Sequence, residues 1–189
     1  MLQEIIKGTT DAVVAAIKGA DDIMNAVTDT VKDQVVHVFK DASEVSAVGL
    51  DSVSAVASGA IKGVGQVGGS LTEATQQIMH GAITGVSEVG GDVIAATGKV
   101  AQGVIQAASD TGGDLGKVAV STVEGAVKAA GDVGADTAEA AKSAVVGALD
   151  AAGDIGGDAA EKVRNALLAS TALPHDVVEA AIKGHHTSK

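Results

Sequence analysis

The chain has 189 residues and a net charge of −11 from 24 acidic and 13 basic side chains, and it contains one Phe, one Pro and no Trp, Tyr or Cys. The acidic balance argues against nucleic acid and anionic lipid as partners, since both need a basic surface to meet phosphates or headgroups. Without cysteine there are no disulfides, thiolate metal sites or cysteine nucleophiles, which suits a reducing cytosol, and an apolar fraction made almost entirely of Ala, Val, Ile and Leu leaves a compact core without aromatic anchors.

Residues 1–14 hold an N-terminal half repeat, EIIKGTTDAVV from Glu4. Glu4, Lys7, Asp11 and Lys18 are spread through the segment that a signal peptide would keep apolar, so the start reads as mature structure. Seven 22-residue units then fill residues 15–168 in unbroken register, among them AAIKGADDIMNAVTDTVKDQVV from Ala15, GAITGVSEVGGDVIAATGKVAQ from Gly81 and GALDAAGDIGGDAAEKVRNALL from Gly147. The third position reads Ile17, Phe39, Ile61, Ile83, Ile105, Val127 and Leu149, and the ninth reads Ile23, Val45, Val67, Val89, Thr111, Val133 and Ile155. Apolar or small residues recur at unit positions 2, 6, 9, 13, 17 and 20. This is an 11-residue period of about 3.67 residues per turn, which predicts a near-straight or right-handed supercoil.

Charge fills the complementary columns. Lys18, Lys40, Lys62 and Lys128 stand at the fourth position, and Asp22, Glu44, Glu88, Asp110, Asp132 and Asp154 stand four residues later. On one helix such i,i+4 neighbours are worth about 0.2–0.5 kcal/mol each where the signs are opposite. Asp92, Asp114, Asp136 and Asp158 make that face net negative, so association is expected through the apolar side.

The pairs Gly68-Gly69, Gly90-Gly91, Gly112-Gly113 and Gly156-Gly157, with Gly134-Ala135 in the same register, admit two readings. As punctuation, each glycine ends a helix and the following Asp caps the next, which folds the chain into hairpins and a helical solenoid. As close-approach sites inside a continuous helix, they let neighbouring backbones pack tightly, at about 0.8–1 kcal/mol of lost helix propensity per glycine. Because the apolar phase passes through every pair unshifted, the expectation is the second. The predicted fold is therefore all-α: a long hendecad-repeat helix of about 250 Å, forming a near-straight or right-handed oligomeric coiled coil or tube. Its apolar stripe is broad enough for four or more helices. Residues 169–189 are a kink at Pro174, a short helix over Asp176 to Gly184, and the polar tail His185 to Lys189. The longest uncharged stretch, Ala74 to Ser87, is too short to span a membrane, so the expectation is a cytoplasmic protein whose contact with a membrane is at most peripheral.

Chemical motifs are sparse. Gly63-Val64-Gly65-Gln66-Val67-Gly68 matches the dinucleotide fingerprint in letters, but the motif needs a βαβ unit that this repeat does not provide. His37, His80, His175, His185 and His186 include no H-x-x-x-H pair on one helical face, so no metal site is read within one chain. No nucleophile–base arrangement or inward carboxylate pair is legible, so no catalytic residue is assigned and the chain is not expected to be an enzyme. Ile61, Val67, Ile83, Val89, Ile105, Val133 and Ile155 mark the apolar face along which a lipophilic molecule would lie in the lumen of a tube.

From Glu4 to about Leu168 the 11-residue pattern resembles the hendecad coiled coils. In style, length and composition it is also similar to the stalk-forming scaffold subunit of high-affinity, quinone-reducing nickel-iron hydrogenases of actinobacteria. That resemblance implies a non-catalytic homo-oligomeric stalk that holds hydrogenase subunits and offers menaquinone, or another lipophilic molecule, an apolar path from the membrane. It carries over no residue as a quinone ligand. Lys18-Gly19 and the run Val27 to Val36 also resemble synucleins and perilipins, implying as the alternative an amphipathic binder of lipid surfaces or droplets, although their repeats are lysine-flanked where these are acidic. Desiccation-protectant repeat proteins share the period but are more hydrophilic.

Overall fold

Helices begin at Leu71, Val93, Leu115 and Thr137, one every 22 residues, in the computed structural model of the protein, which describes residues 1–41 and 47–187. Among the described residues there are nine helices and no strand: α1 (Leu2–Gly19), α2 (Ile23–Asp41), α3 (Ala47–Gln66), α4 (Leu71–Glu88), α5 (Val93–Asp110), α6 (Leu115–Asp132), α7 (Thr137–Ile155), α8 (Gly157–Ala169) and α9 (His175–Thr187). The all-α expectation holds. The single long helix gives way to short ones, because the chain turns at every glycine pair. Glu44 and Val45, the end of the tail and the side chain of His186 lie outside the described residues.

The four turns between α3 and α7 are built from the same two devices. Gly68, Gly90, Gly112 and Gly134 take φ between 71° and 74°, where a Cβ would crowd the backbone. At Gly90-Gly91, the Gly91 N–H donates to the Val86 carbonyl at 2.9 Å and the Gly90 N–H to the Ser87 carbonyl at 3.1 Å. This crossed pair is the Schellman motif, and it recurs at the turns containing Gly68, Gly112 and Gly134. The next residue then caps the following helix: Asp92 accepts from Ala95 N at 2.9 Å, Asp114 from Lys117 N at 3.2 Å, and Asp136 from Ala138 N and Glu139 N at 2.9 and 3.0 Å.

The unbroken phase has a simple origin. α4, α5 and α6 are each 18 residues long, which is about five whole turns at 3.6 residues per turn, so the apolar stripe leaves each helix on the face where it entered. Four turn residues complete the 22, and the next helix restarts in phase. A period that reads as an endless helix is thus also the signature of one helix plus one turn.

The helices form two layers. α1, α3, α5, α7 and α9 lie side by side in one, α2, α4, α6 and α8 in the other, and consecutive helices cross between layers as antiparallel hairpins. Within a layer the helices are parallel, since Gly59 and Gly63 of α3 sit on Ile6 and Thr10 of α1 in the same order, as do Gly81 and Gly85 of α4 on Thr28 and Lys32 of α2. At these glycines one helix backbone meets another, whereas Gly69 and Gly91 of the pairs are crowded by Val64 and Val86 of their own turns. A Cβ on Gly59 would stand 2.5 Å from the Ile6 carbonyl oxygen, and Gly103 and Gly147 meet the carbonyls of Ser54 and Gly98 in the same way. Between the layers one continuous core of Val, Ile and Ala runs from Val13 to Ile182. The hydroxyls of Thr75, Thr97 and Thr122 enter it only by donating to carbonyls one turn back, each at 2.7 Å.

Pro174 sits between α8 and α9, and its carbonyl accepts from Val177 N and Val178 N, so it starts α9 where it cannot continue α8. α9 runs one residue earlier and three later than the expected Asp176 to Gly184.

Candidate functional site

The seven apolar positions singled out as a lipophilic path do not share one face. Ile61, Ile83 and Ile105 are fully buried between the layers. Val67, Val89, Val133 and Ile155 are half-buried at helix C-termini. Because successive turns alternate ends, Val67 and Ile155 lie at one end of the array and Val89 and Val133 at the other. From Val67 to Ile155 the ninth unit position, read as the middle of a stripe, is the residue on which a helix closes, whereas Ile23 opens α2.

The outer faces carry a ladder of polar contacts between neighbours in a layer. Lys32 of α2 meets Glu88 of α4 at 3.4 Å, Lys62 of α3 meets Asp110 of α5 at 3.1 Å, and Lys99 of α5 meets Asp51 of α3 at 2.8 Å. His80 Nε2 of α4 lies 3.2 Å from Asp132 of α6, and His185 Nε2 of α9 lies 2.8 Å from Asp150 of α7. Gln76 donates to Glu124 at 2.9 Å and Ser143 to the Ile94 carbonyl at 2.7 Å. Asp132, placed from the sequence opposite Lys128 on its own helix, therefore pairs with His80 two helices away. For Asp132 the column is as expected and the partner is not. What was missed is that a column two units on, not one turn on, stands opposite.

Where α7 passes into α8 the pattern changes. Gly156 alone connects them, with φ 150°, and Asp158 falls inside the first turn of α8 rather than at its cap. Beside this connection lies a cleft of about 770 Å³, lined by Ser109, Asp114, Leu115, Ile155, Asp158 and Lys162 among others. Its polar groups are two carboxylates, a hydroxyl and one ammonium, with no nucleophile set beside a base. Gly63 to Gly68 lies on the last turn of α3 and the turn after it, with no strand before it, so it makes no dinucleotide site. Among the described residues there is no group of three or more His, Asp or Glu placed to hold a metal ion. Nor, among them, is any helix long and apolar enough to cross a membrane.

A scan against protein-family models finds none that matches this chain, and a search of curated proteins finds no match.

Proposed function

We propose that the protein is a non-catalytic scaffold, a stiff two-layer helical array whose work is to present an extended acidic surface to other proteins. The observation that carries this reading is where its ionisable side chains go: the contacts between Lys32 and Glu88, Lys62 and Asp110, and His80 and Asp132 tie each helix to its second neighbour instead of converging on one point. The apolar columns are covered by neighbouring helices of the same chain, so the fold needs no lipid to bury them, which favours a scaffold over a lipid-surface binder.

In its fuller form, which rests on the resemblance of the repeat, the array is a cytoplasmic stalk touching the membrane peripherally, holding hydrogenase protomers and giving menaquinone an apolar path. Such a path would run between copies, since Ile61, Ile83 and Ile105 are enclosed within each chain. The first test is circular dichroism with light scattering in lipid-free buffer. A folded, helical particle unchanged by added vesicles is expected, and a disordered monomer that turns helical only on vesicles sinks the scaffold. For the fuller form, organic extraction of the native complex followed by mass spectrometry should recover menaquinone, and a lipid-free complex removes the conduit.

A further inference from the structure

The two ends of the array are not closed in the way its interior is. An interior helix is flanked in its own layer on both sides, but α1 touches only α2 and α3, and α8 touches only α6, α7 and α9. Gly8, Ala12, Ala15 and Gly19 of α1 correspond, 66 residues or three units on, to Ala74, Ile78, Gly81 and Gly85 of α4. Those four are buried, and so is every equivalent set in α3, α5, α6 and α7, because this is the face that receives the preceding helix of the layer. In α1 Gly8, Ala15 and Gly19 are exposed, and nothing lies within 4 Å of a Cβ built on Gly8 or Gly19. α2 offers Thr30, Gln34 and His37 at the same positions, so the bare small-residue seat belongs to α1.

Two independent observations say what fits it. The exposed large hydrophobic residues are Met1, Leu2 and Ile23 at the first edge and Leu168 at the last, among the described residues. Charge also matches across the edges. Arg164 of α8 stands six units after Lys32, whose partner is the acid that ends the next helix of its layer, Glu88. Arg164 has a buried Nε with no hydrogen-bond partner among the described residues. At the other edge, two residues past the end of α1, Asp21 is exposed beside Asp22, whose own carboxylate caps α2 by accepting from Met24 N at 3.1 Å, Asn25 N at 3.2 Å and Asn25 Nδ2 at 2.7 Å.

We propose that copies of this chain stack head to tail, the α1 face of one seated on the outer side of α8 of another, with Leu168 against the small-residue seat and Arg164 facing Asp21. The outer side of α8 holds Ala160, Arg164 and Leu168 at the positions that Thr28, Lys32 and Val36 occupy on α2, so α1 continues the layer of α8 as α4 continues that of α2. The contact is heterologous and does not close, which makes the assembly linear. This names the partner of the scaffold proposed above and rests on that reading.

The test uses the full chain in sedimentation velocity over a concentration series. The wild type should give an open series of oligomers. Ala15→Arg, which blocks the head, and Leu168→Glu, which blocks the tail, should each be monomeric, and an equimolar mixture of the two should give dimers and nothing larger. Arg164→Asp repeats the tail change through charge, and far-UV circular dichroism checks that each variant keeps its helices. A wild type that stays monomeric throughout overturns the stacking, as does a mixture without dimers. So does association that survives in either single variant, since that marks a pairing of like edges. In each of those cases a folded, lipid-independent particle would leave the scaffold reading standing.

Discussion

A Cβ added to Gly81 would stand 2.5 Å from the Thr28 carbonyl oxygen and 3.2 Å from the Val31 Cβ. Neither backbone nor a β-branched side chain can step aside cheaply, so Gly81→Ala should push α4 off α2 and cost about 1–3 kcal/mol, read as a lower urea midpoint. Gly131, also helical, has only the Thr137 Cγ2 at 3.6 Å in front of it. Gly131→Ala should therefore stabilise by about 0.5–1 kcal/mol through helix propensity. An equal response at the two sites would mean that close approach is not what keeps glycine at Gly81. Nothing in composition separates these residues, nor either of them from Gly90, which is there for its positive φ. Glycine thus stands at Gly81 for space, at Gly90 for its dihedral angle and at Gly131 for neither, and the letter alone distinguishes none of the three.

At the scale of the helix, the caps decide where the chain breaks. Asp114 accepts the Lys117 N–H as the N-cap of α6, whereas Asp158, in the same repeat position, lies within the first turn of α8. Asp114→Ala should cost about 0.5–2 kcal/mol, against about 0.3–1 kcal/mol for Asp158→Ala, which loses only its interaction with the helix dipole. Thermal unfolding of the two variants gives the comparison, and a larger loss at Asp158 would contradict it. The helical character, the break at Pro174 and the apolar columns were all legible from the order of residues. The breaks at Gly-Gly-Asp were legible as an option and set aside, because five turns of helix plus a four-residue turn leave the same phase as six turns of a continuous helix. Only the third dimension separates those two. The buried status of Ile61, Ile83 and Ile105 followed from their column, but their burial inside one chain rather than between chains did not.

At the scale of the whole molecule, contacts among the described residues reach no further than the second neighbour along the array. Such a structure is quasi-one-dimensional, so its stability is a sum over repeats and their interfaces. Deleting residues 93–114 removes α5 and one turn and brings Asp92 directly before Leu115, where it can cap α6. That variant should fold, with one helix fewer and a cooperative urea transition. Deleting the 11 residues 97–107 leaves α5 with seven, too few to bridge the layer, and should abolish the sharp transition. Equal tolerance of both deletions would show that the 11-residue period is itself a structural unit.

From α1 to α7 the seating of each helix on its second neighbour is the same in both layers, and this frees the chain from counting in pairs. Most hairpin-built arrays can lengthen only by two helices at a time, because front and back rows differ. Here a single duplicated or lost unit merely exchanges the rows behind it. Slippage of one 22-residue stretch of coding sequence is then a viable mutation in either direction, and related chains of odd and even helix number should share one architecture at different lengths.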